Sequence, residues 1–157
     1  MENWKLDDGL VQFPSGRRIR GRSWKNPVAE EADFSLVLTT VSGKEFASYS
    51  LFPGSTENIM IDWPDERLPR RASHALSQLR QAWERSENER VEIVCRTGVG
   101  RVGTALAIIA VFEGMAPDAA IEFVRENYNR NSVSSPAQRG FIREYVTRPE
   151  GLDGFEK

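Results

Sequence analysis

Cys95 and Arg101 enclose the five residues Arg96, Thr97, Gly98, Val99 and Gly100 in the run VCRTGVGRVGT. A thiol, a glycine-bearing loop and a guanidinium at that spacing can bind and attack an anion at one place. Successive amides from Arg96 to Arg101 can converge as an anion nest, and Gly98 and Gly100 permit the positive φ values such a loop needs. Arg101 can grip two oxygens of a phosphoryl dianion. The same positive surroundings favour the thiolate of Cys95, the form that attacks phosphorus.

The glycines allow two other phosphate loops. Read as G-x-G-x-x-G, Gly98, Gly100 and Gly103 would open a dinucleotide fold, which needs a second strand after the helix with an acid at its end. Here Met115 leads into PDAAIEFVRENY, whose helical period carries Glu122 and leaves no strand to present it. Read as G-x-x-x-x-G-K-[ST], Gly98, Gly103 and Thr104 lack the lysine that reaches the terminal phosphates. Cys-x5-Arg remains.

The elements around the loop are readable from periodicity. VEIVC, residues 91–95, is a short interior strand, and VGTALAIIAVFEGM is a helix apolar enough to be buried nearly all round. The loop therefore joins a buried strand to a core helix whose N-terminus faces the anion. Upstream, FSLVLTT (34–40), FASYSLF (46–52) and NIMID (58–62) read as strands. Ala72, Ala75, Leu76, Leu79, Ala82 and Trp83 recur at helical spacing, placing an amphipathic helix over about 69–86 against the sheet. Pro117–Asp118 opens a helix to about Tyr128, and Ser134-Ser135-Pro136 opens a last one to about Val146. Near the start, a Pro-Ser-Gly turn makes a hairpin that groups Arg17, Arg18, Arg20, Arg22 and Lys25 without an acid, a solvated cluster able to steer a phosphorylated partner. The expected fold is α/β: one domain over the 157 residues, with a compact core over about 10–147, frayed ends, and a central mixed, mostly parallel sheet flanked by helices.

A second motif lies upstream of the cysteine. DWPDERLP falls on a loop between a strand and a helix, and Trp63-Pro64-Asp65 with Cys95-to-Arg101 and Gly103-Thr104 resembles the Cys-based protein tyrosine phosphatase superfamily. The short chain is most similar to a compact dual-specificity-type phosphatase of bacterial kind over roughly residues 34–146; residues before Phe34 have no counterpart in the resemblance. The resemblance implies that Cys95 forms a thiophosphate intermediate and that Arg101 holds the phosphoryl oxygens. It implies that Asp65 protonates the leaving oxygen and then serves as base for water, with neither metal nor cofactor. That role suits the chemistry, since an alkoxide or phenoxide leaves badly without a proton and a loop carboxyl can deliver one. Asp62, the nearest rival acid, is expected to anchor the loop by hydrogen bonding. Gln138 resembles the glutamine that positions water, and equally fits a capping box with Ser135. His74 is expected on the surface and without a role. Arg96 should ring the pocket mouth, favouring an acidic or multiply phosphorylated substrate.

The motif departs from the family at two residues beside the nucleophile and the arginine. The residue before the cysteine is usually histidine and is Val94 here; the residue after the arginine usually carries a hydroxyl and is Val102 here. Loss of one hydrogen bond to the departing thiolate costs on the order of 1.5 to 3 kcal/mol, roughly ten- to hundredfold in rate, and should slow hydrolysis of the intermediate more than its formation. Thr97 and Thr104 are the candidate substitutes.

Composition bounds the remaining classes. A net charge of −2 creates no field that draws nucleic acid or membrane, and the chain lacks an interleaved basic and aromatic surface. A lone thiol suits a reducing compartment, and the N-terminus lacks a positively charged segment followed by an apolar run, so cytoplasm is expected. The expected partner is a phosphorylated protein, with phosphotyrosine ahead of phosphoserine or phosphothreonine and with vanadate and phosphate as inhibitors. Phosphoinositides and RNA 5′-phosphates rank below protein, and a phosphate-recognition module with little turnover is the alternative to an enzyme.

Overall fold

The computed structural model describes residues 3–28, 30–50 and 57–146. Among these residues five strands form one sheet: β1 (Leu10–Gln12), β2 (Arg18–Ser23), β3 (Phe34–Thr39), β4 (Asn58–Asp62) and β5 (Val91–Cys95), in spatial order β1-β2-β5-β3-β4. The β1–β2 pair is the expected antiparallel hairpin, and the other pairings are parallel. Among the described residues five α-helices follow or interleave: α1 (Gly43–Ser50), α2 (Ala72–Arg85), α3 (Gly100–Phe112), α4 (Pro117–Asn127) and α5 (Pro136–Gly140), the last running into a π-helical segment Phe141–Val146. The mixed, mostly parallel sheet agrees with the expected α/β class.

Strand β5 lies at the centre, between β2 and β3, and its alternation sorts the molecule into two faces. Val91, Ile93 and Cys95 point into the main core with Ile19, Leu36 and Leu38, under helices α2, α3 and α4. Helix α3 is buried from Gly100 to Val111, as its uniformly apolar sequence requires. Glu92 and Val94 point the other way. There Val94 joins Val37, Trp24 and Tyr49 of α1 in a second, smaller apolar cluster.

The stretch 46–52 is not a strand: residues 46–50 belong to α1, and 51–52 lie outside the described residues. Its aromatic residues suit either element, and tertiary contacts decide. Tyr49 packs edge-on against Trp24 at 5.4 Å between ring centroids, while Glu45, one turn earlier, accepts hydrogen bonds from the Thr39 hydroxyl and the Thr40 amide.

The N-terminal arginines are not a solvated cluster either. Strand β2 places Arg20 and Arg22 on one face, 7% and 8% exposed, where both grip Glu92 of β5. Ser35 also donates to that carboxylate, and the Arg20 guanidinium lies 4.4 Å from the centroid of the Trp4 ring. Burial raises the Glu92 pKa, but hydrogen bonds and charge from Arg22, with Ser35 and Arg20, outweigh it, so the carboxyl is held below its ordinary value. Trp4, ahead of β1, is buried. The hairpin is an integral edge of the sheet.

Candidate active site

The strand–loop–helix unit forms as expected, with Cys95 at the end of the strand and Arg101 on the helix. Cys95 ends β5, fully buried, and the amide of Gly98 donates to its Sγ at 3.2 Å. Gly98 has φ +73, and a Cβ there would stand 2.5 Å from the Ser23 amide, so both its conformation and its neighbour require glycine. Arg96 and Thr97 are exposed, Gly98 is buried, Val99 is half-buried, and Gly100 begins α3.

Arg101 sits on the first turn of α3, 1% exposed. Its Nη1 donates to Glu45 Oε1 and to the Trp63 carbonyl, each at 2.9 Å, and its Nη2 donates to Glu45 Oε2 at 2.7 Å. Its Nε is buried without a hydrogen-bond partner and faces Asp65 Oδ1 at 3.6 Å. A buried guanidinium clamped at both terminal nitrogens, with an Nε that makes no hydrogen bond, can offer that N–H to an anion. Burial alone would lower the Arg101 pKa, but Glu45 and Cys95 outweigh it and hold the group charged. Burial likewise pushes Glu45 up, yet its bonds from Arg101 and from Thr40 leave the carboxyl below its usual range.

Asp65 lies on the loop after β4, its side chain 59% exposed, so it is both near Arg101 and open to solvent. Side chains tie that loop down: Trp63 is buried and its Nε1 donates to the Arg67 carbonyl at 2.7 Å, Gln138 Nε2 donates to the same carbonyl at 3.3 Å, and Ser134 Oγ donates to Glu66 Oε2 at 2.6 Å. Asp62 anchors the loop as expected, through Arg70 N to its carbonyl at 2.9 Å and an ion pair with Arg70 at 3.5 Å.

Gln138 is buried and its amide bridges two loops, accepting from the Ser134 amide at 3.1 Å and donating to Arg67. Ser135 caps α5 through the Gln138 amide, so half of the expected capping box forms; the reciprocal bond goes to Ser134 instead of Ser135. Thr104 donates its hydroxyl back to the Gly100 carbonyl at 2.8 Å and so does not take the place of the missing hydroxyl at Val102. His74 is half-buried on the first turn of α2, lining a cavity of about 220 Å³ with Asp62 and Arg71. Glu45 was missed by sequence reasoning: it lies 56 residues from Arg101, just before the stretch expected as a strand, and no local spacing marks it.

A family model described as protein-tyrosine phosphatase matches residues 37–143, more than half of the chain. Among solved structures, the fold is similar to that of Tk-PTP in its active form, with TM-score 0.65 and 23% identity over 88% of this chain and 97% of that one. It is also similar to the kinase associated phosphatase bearing serine for its catalytic-site cysteine, with TM-score 0.65 and 12% identity over 82% and 84% of the two chains. A curated relative, the uncharacterized protein MJECL20 of Methanocaldococcus jannaschii, is 38% identical over 63 residues, which cover 40% of this chain and 42% of that protein.

Proposed function

This chain belongs to the protein-tyrosine phosphatase family, and from that premise we propose that it is a cysteine-dependent phosphomonoesterase acting on phosphorylated protein, phosphotyrosine ahead of phosphoserine and phosphothreonine. One observation carries the reading: Arg101, buried on the helix that follows the Cys95 loop, has an Nε that makes no hydrogen bond and pairs electrostatically with the Asp65 carboxyl at 3.6 Å. A protein that only bound phosphate would have no use for an acid at that position.

In this reading the Cys95 thiolate attacks phosphorus, forming an S–P bond as the bond from phosphorus to the leaving oxygen breaks. Asp65 supplies the proton that the leaving oxygen takes. Water then attacks the phosphoenzyme and gives its proton to Asp65, and the S–P bond breaks to release inorganic phosphate and restore the thiolate. Arg101 and the amides of Arg96, Thr97, Gly98, Val99 and Gly100 hold the charge that spreads over the phosphoryl oxygens. Gln138 orients the second step, from a loop already tied to the acid loop. Arg96, exposed at the loop, with Arg67 and Arg71 on or next to the acid loop, favours substrates with acidic or further phosphorylated flanks.

A weakly hydrolysing phosphate-recognition module is the second reading, and Val102 with the diverted Thr104 hydroxyl is what favours it. Among the described residues no helix is long and apolar enough to cross a membrane, and the lone thiol favours a reducing compartment such as the cytoplasm. Phosphate release from phosphotyrosine and phosphoserine peptides by the wild type and by Cys95→Ser tests the proposal. Vanadate-sensitive release by the wild type, fastest on phosphotyrosine, is expected; release no greater than that of Cys95→Ser would overturn it.

A further inference from the structure

The outer side of the phosphate loop is held by two hydroxyls from elements that the catalytic motifs do not include. Ser23 Oγ, at the end of β2, donates to the Arg96 carbonyl, and Tyr128 Oη, just past α4, donates to the Gly98 carbonyl. Both are built positions. Ser23 pairs in register with Cys95, and Trp24 N donates to the Cys95 carbonyl at 3.1 Å, so β2 is locked to the nucleophile's strand. The Tyr128 ring occupies the place of a missing side chain: a Cβ on Gly21 would stand 2.5 Å from it.

Both carbonyls are thus directed at partners outside the Cys95–Arg101 loop. Ser23, Thr97, Gly98, Val99 and Tyr128 all line a cavity of about 310 Å³ to which neither Cys95 nor Arg101 contributes. A trans peptide is planar, with its C=O and the following N–H pointing in opposite directions. Fixing the Arg96 and Gly98 carbonyls outward therefore turns the Thr97 and Val99 N–H groups inward, on the side where Gly98 N meets Cys95 Sγ.

We infer that Ser23 and Tyr128 are positioning residues that preorganise the oxyanion-binding amides of the Cys95 loop, each by holding one loop carbonyl outward. The inference rests on the phosphatase reading of that loop. It gives the N-terminal hairpin, which lies outside the matched family region, a part in the site. Burial, then the negative charges of Cys95 and Asp8, push the Tyr128 phenol far up, so it remains a donor throughout the working range. An unanchored loop would have to select the inward peptide orientation on binding, weakening oxyanion affinity without touching the anion itself.

Calorimetric binding of orthovanadate to the full chain tests this, with Tyr128→Phe, Ser23→Ala and Ser23→Thr compared by thermal unfolding alongside. Tyr128→Phe keeps the ring against Gly21, and Ser23→Thr keeps the hydroxyl. We expect Tyr128→Phe and Ser23→Ala each to weaken vanadate about five- to tenfold, and Ser23→Thr to bind as the wild type does. A general packing defect would instead lower the melting temperature of Ser23→Ala and Ser23→Thr alike without separating them in affinity, and would overturn the inference. Wild-type affinity in Tyr128→Phe and Ser23→Ala overturns it while leaving the phosphatase reading intact; no vanadate binding by the wild type overturns both.

Discussion

Glu45 and Arg101 meet as a two-pronged ion pair, Nη1 to Oε1 at 2.9 Å and Nη2 to Oε2 at 2.7 Å, which fixes the guanidinium plane and leaves Nε turned toward Asp65 at 3.6 Å. A charged clamp of this kind sets orientation, and orientation is what a bidentate phosphate grip depends on. Glu45→Gln is expected to lower kcat/KM about ten- to hundredfold, through loss of one charge-assisted bond and of the fixed plane. Steady-state kinetics on a phosphotyrosine peptide checks this.

Asp65 stands within reach of the same guanidinium but 59% exposed, so it can exchange its proton with water between turnovers. Asp65→Asn is expected to remove the alkaline limb of the kcat profile for a poor leaving group, because that limb reports ionisation of the acid. For a good leaving group such as p-nitrophenol the loss in rate is expected to be much smaller. A pH profile on both substrates separates the two cases.

The two valines beside the loop now have different consequences. From sequence, restoring either the histidine or the hydroxyl should raise turnover. Val102 shares the main core with Cys95, and Val102→Ser is expected to speed hydrolysis of the intermediate about tenfold or more. Val94 faces the opposite side, packed with Trp24, Val37 and Tyr49, so Val94→His buries an imidazole among apolar side chains. That variant is expected to lose about 1 to 3 kcal/mol of stability with no gain in turnover, measured by urea unfolding alongside kinetics.

Glu92 holds two buried guanidiniums together three residues before Cys95 on the same strand. Glu92→Gln leaves Arg20 and Arg22 without their shared carboxylate and is expected to cost about 3 to 5 kcal/mol. The Glu92 and Glu45 carboxyls are both held below the ordinary glutamate value of 4.5 in the folded chain. A depressed folded-state pKa contributes stability above the unfolded value and loses it as pH falls through the folded one. Urea midpoints are therefore expected to fall steadily below pH 4.5, less steeply in Glu92→Gln.

What could be read from the sequence was what is local. The β5–loop–α3 unit is contiguous, its strand and helix are apolar throughout, and its glycines stand where positive φ and close approach require them, so Cys95, Gly98 and Arg101 were legible together. The loop after β4 was legible because Trp63, Pro64 and Asp65 are adjacent. Partners distant in sequence were not: Glu92 lies 70 residues beyond Arg22, and without it the arginines read as a solvated cluster. Phe46 and Tyr49 suit a strand as well as a helix, and only the pairing of Glu45 with Arg101 and of Tyr49 with Trp24 decides between them.

The central claim is a phosphoenzyme on Cys95 whose hydrolysis is slowed by the missing hydroxyl at Val102. Stopped-flow release of p-nitrophenolate on the time scale of the first turnover tests it most directly. The account predicts a burst of about one equivalent per active chain followed by a slower steady rate, absent in Cys95→Ser and diminished in Val102→Ser. Linear release from the first turnover, or a burst that persists in Cys95→Ser, would contradict it.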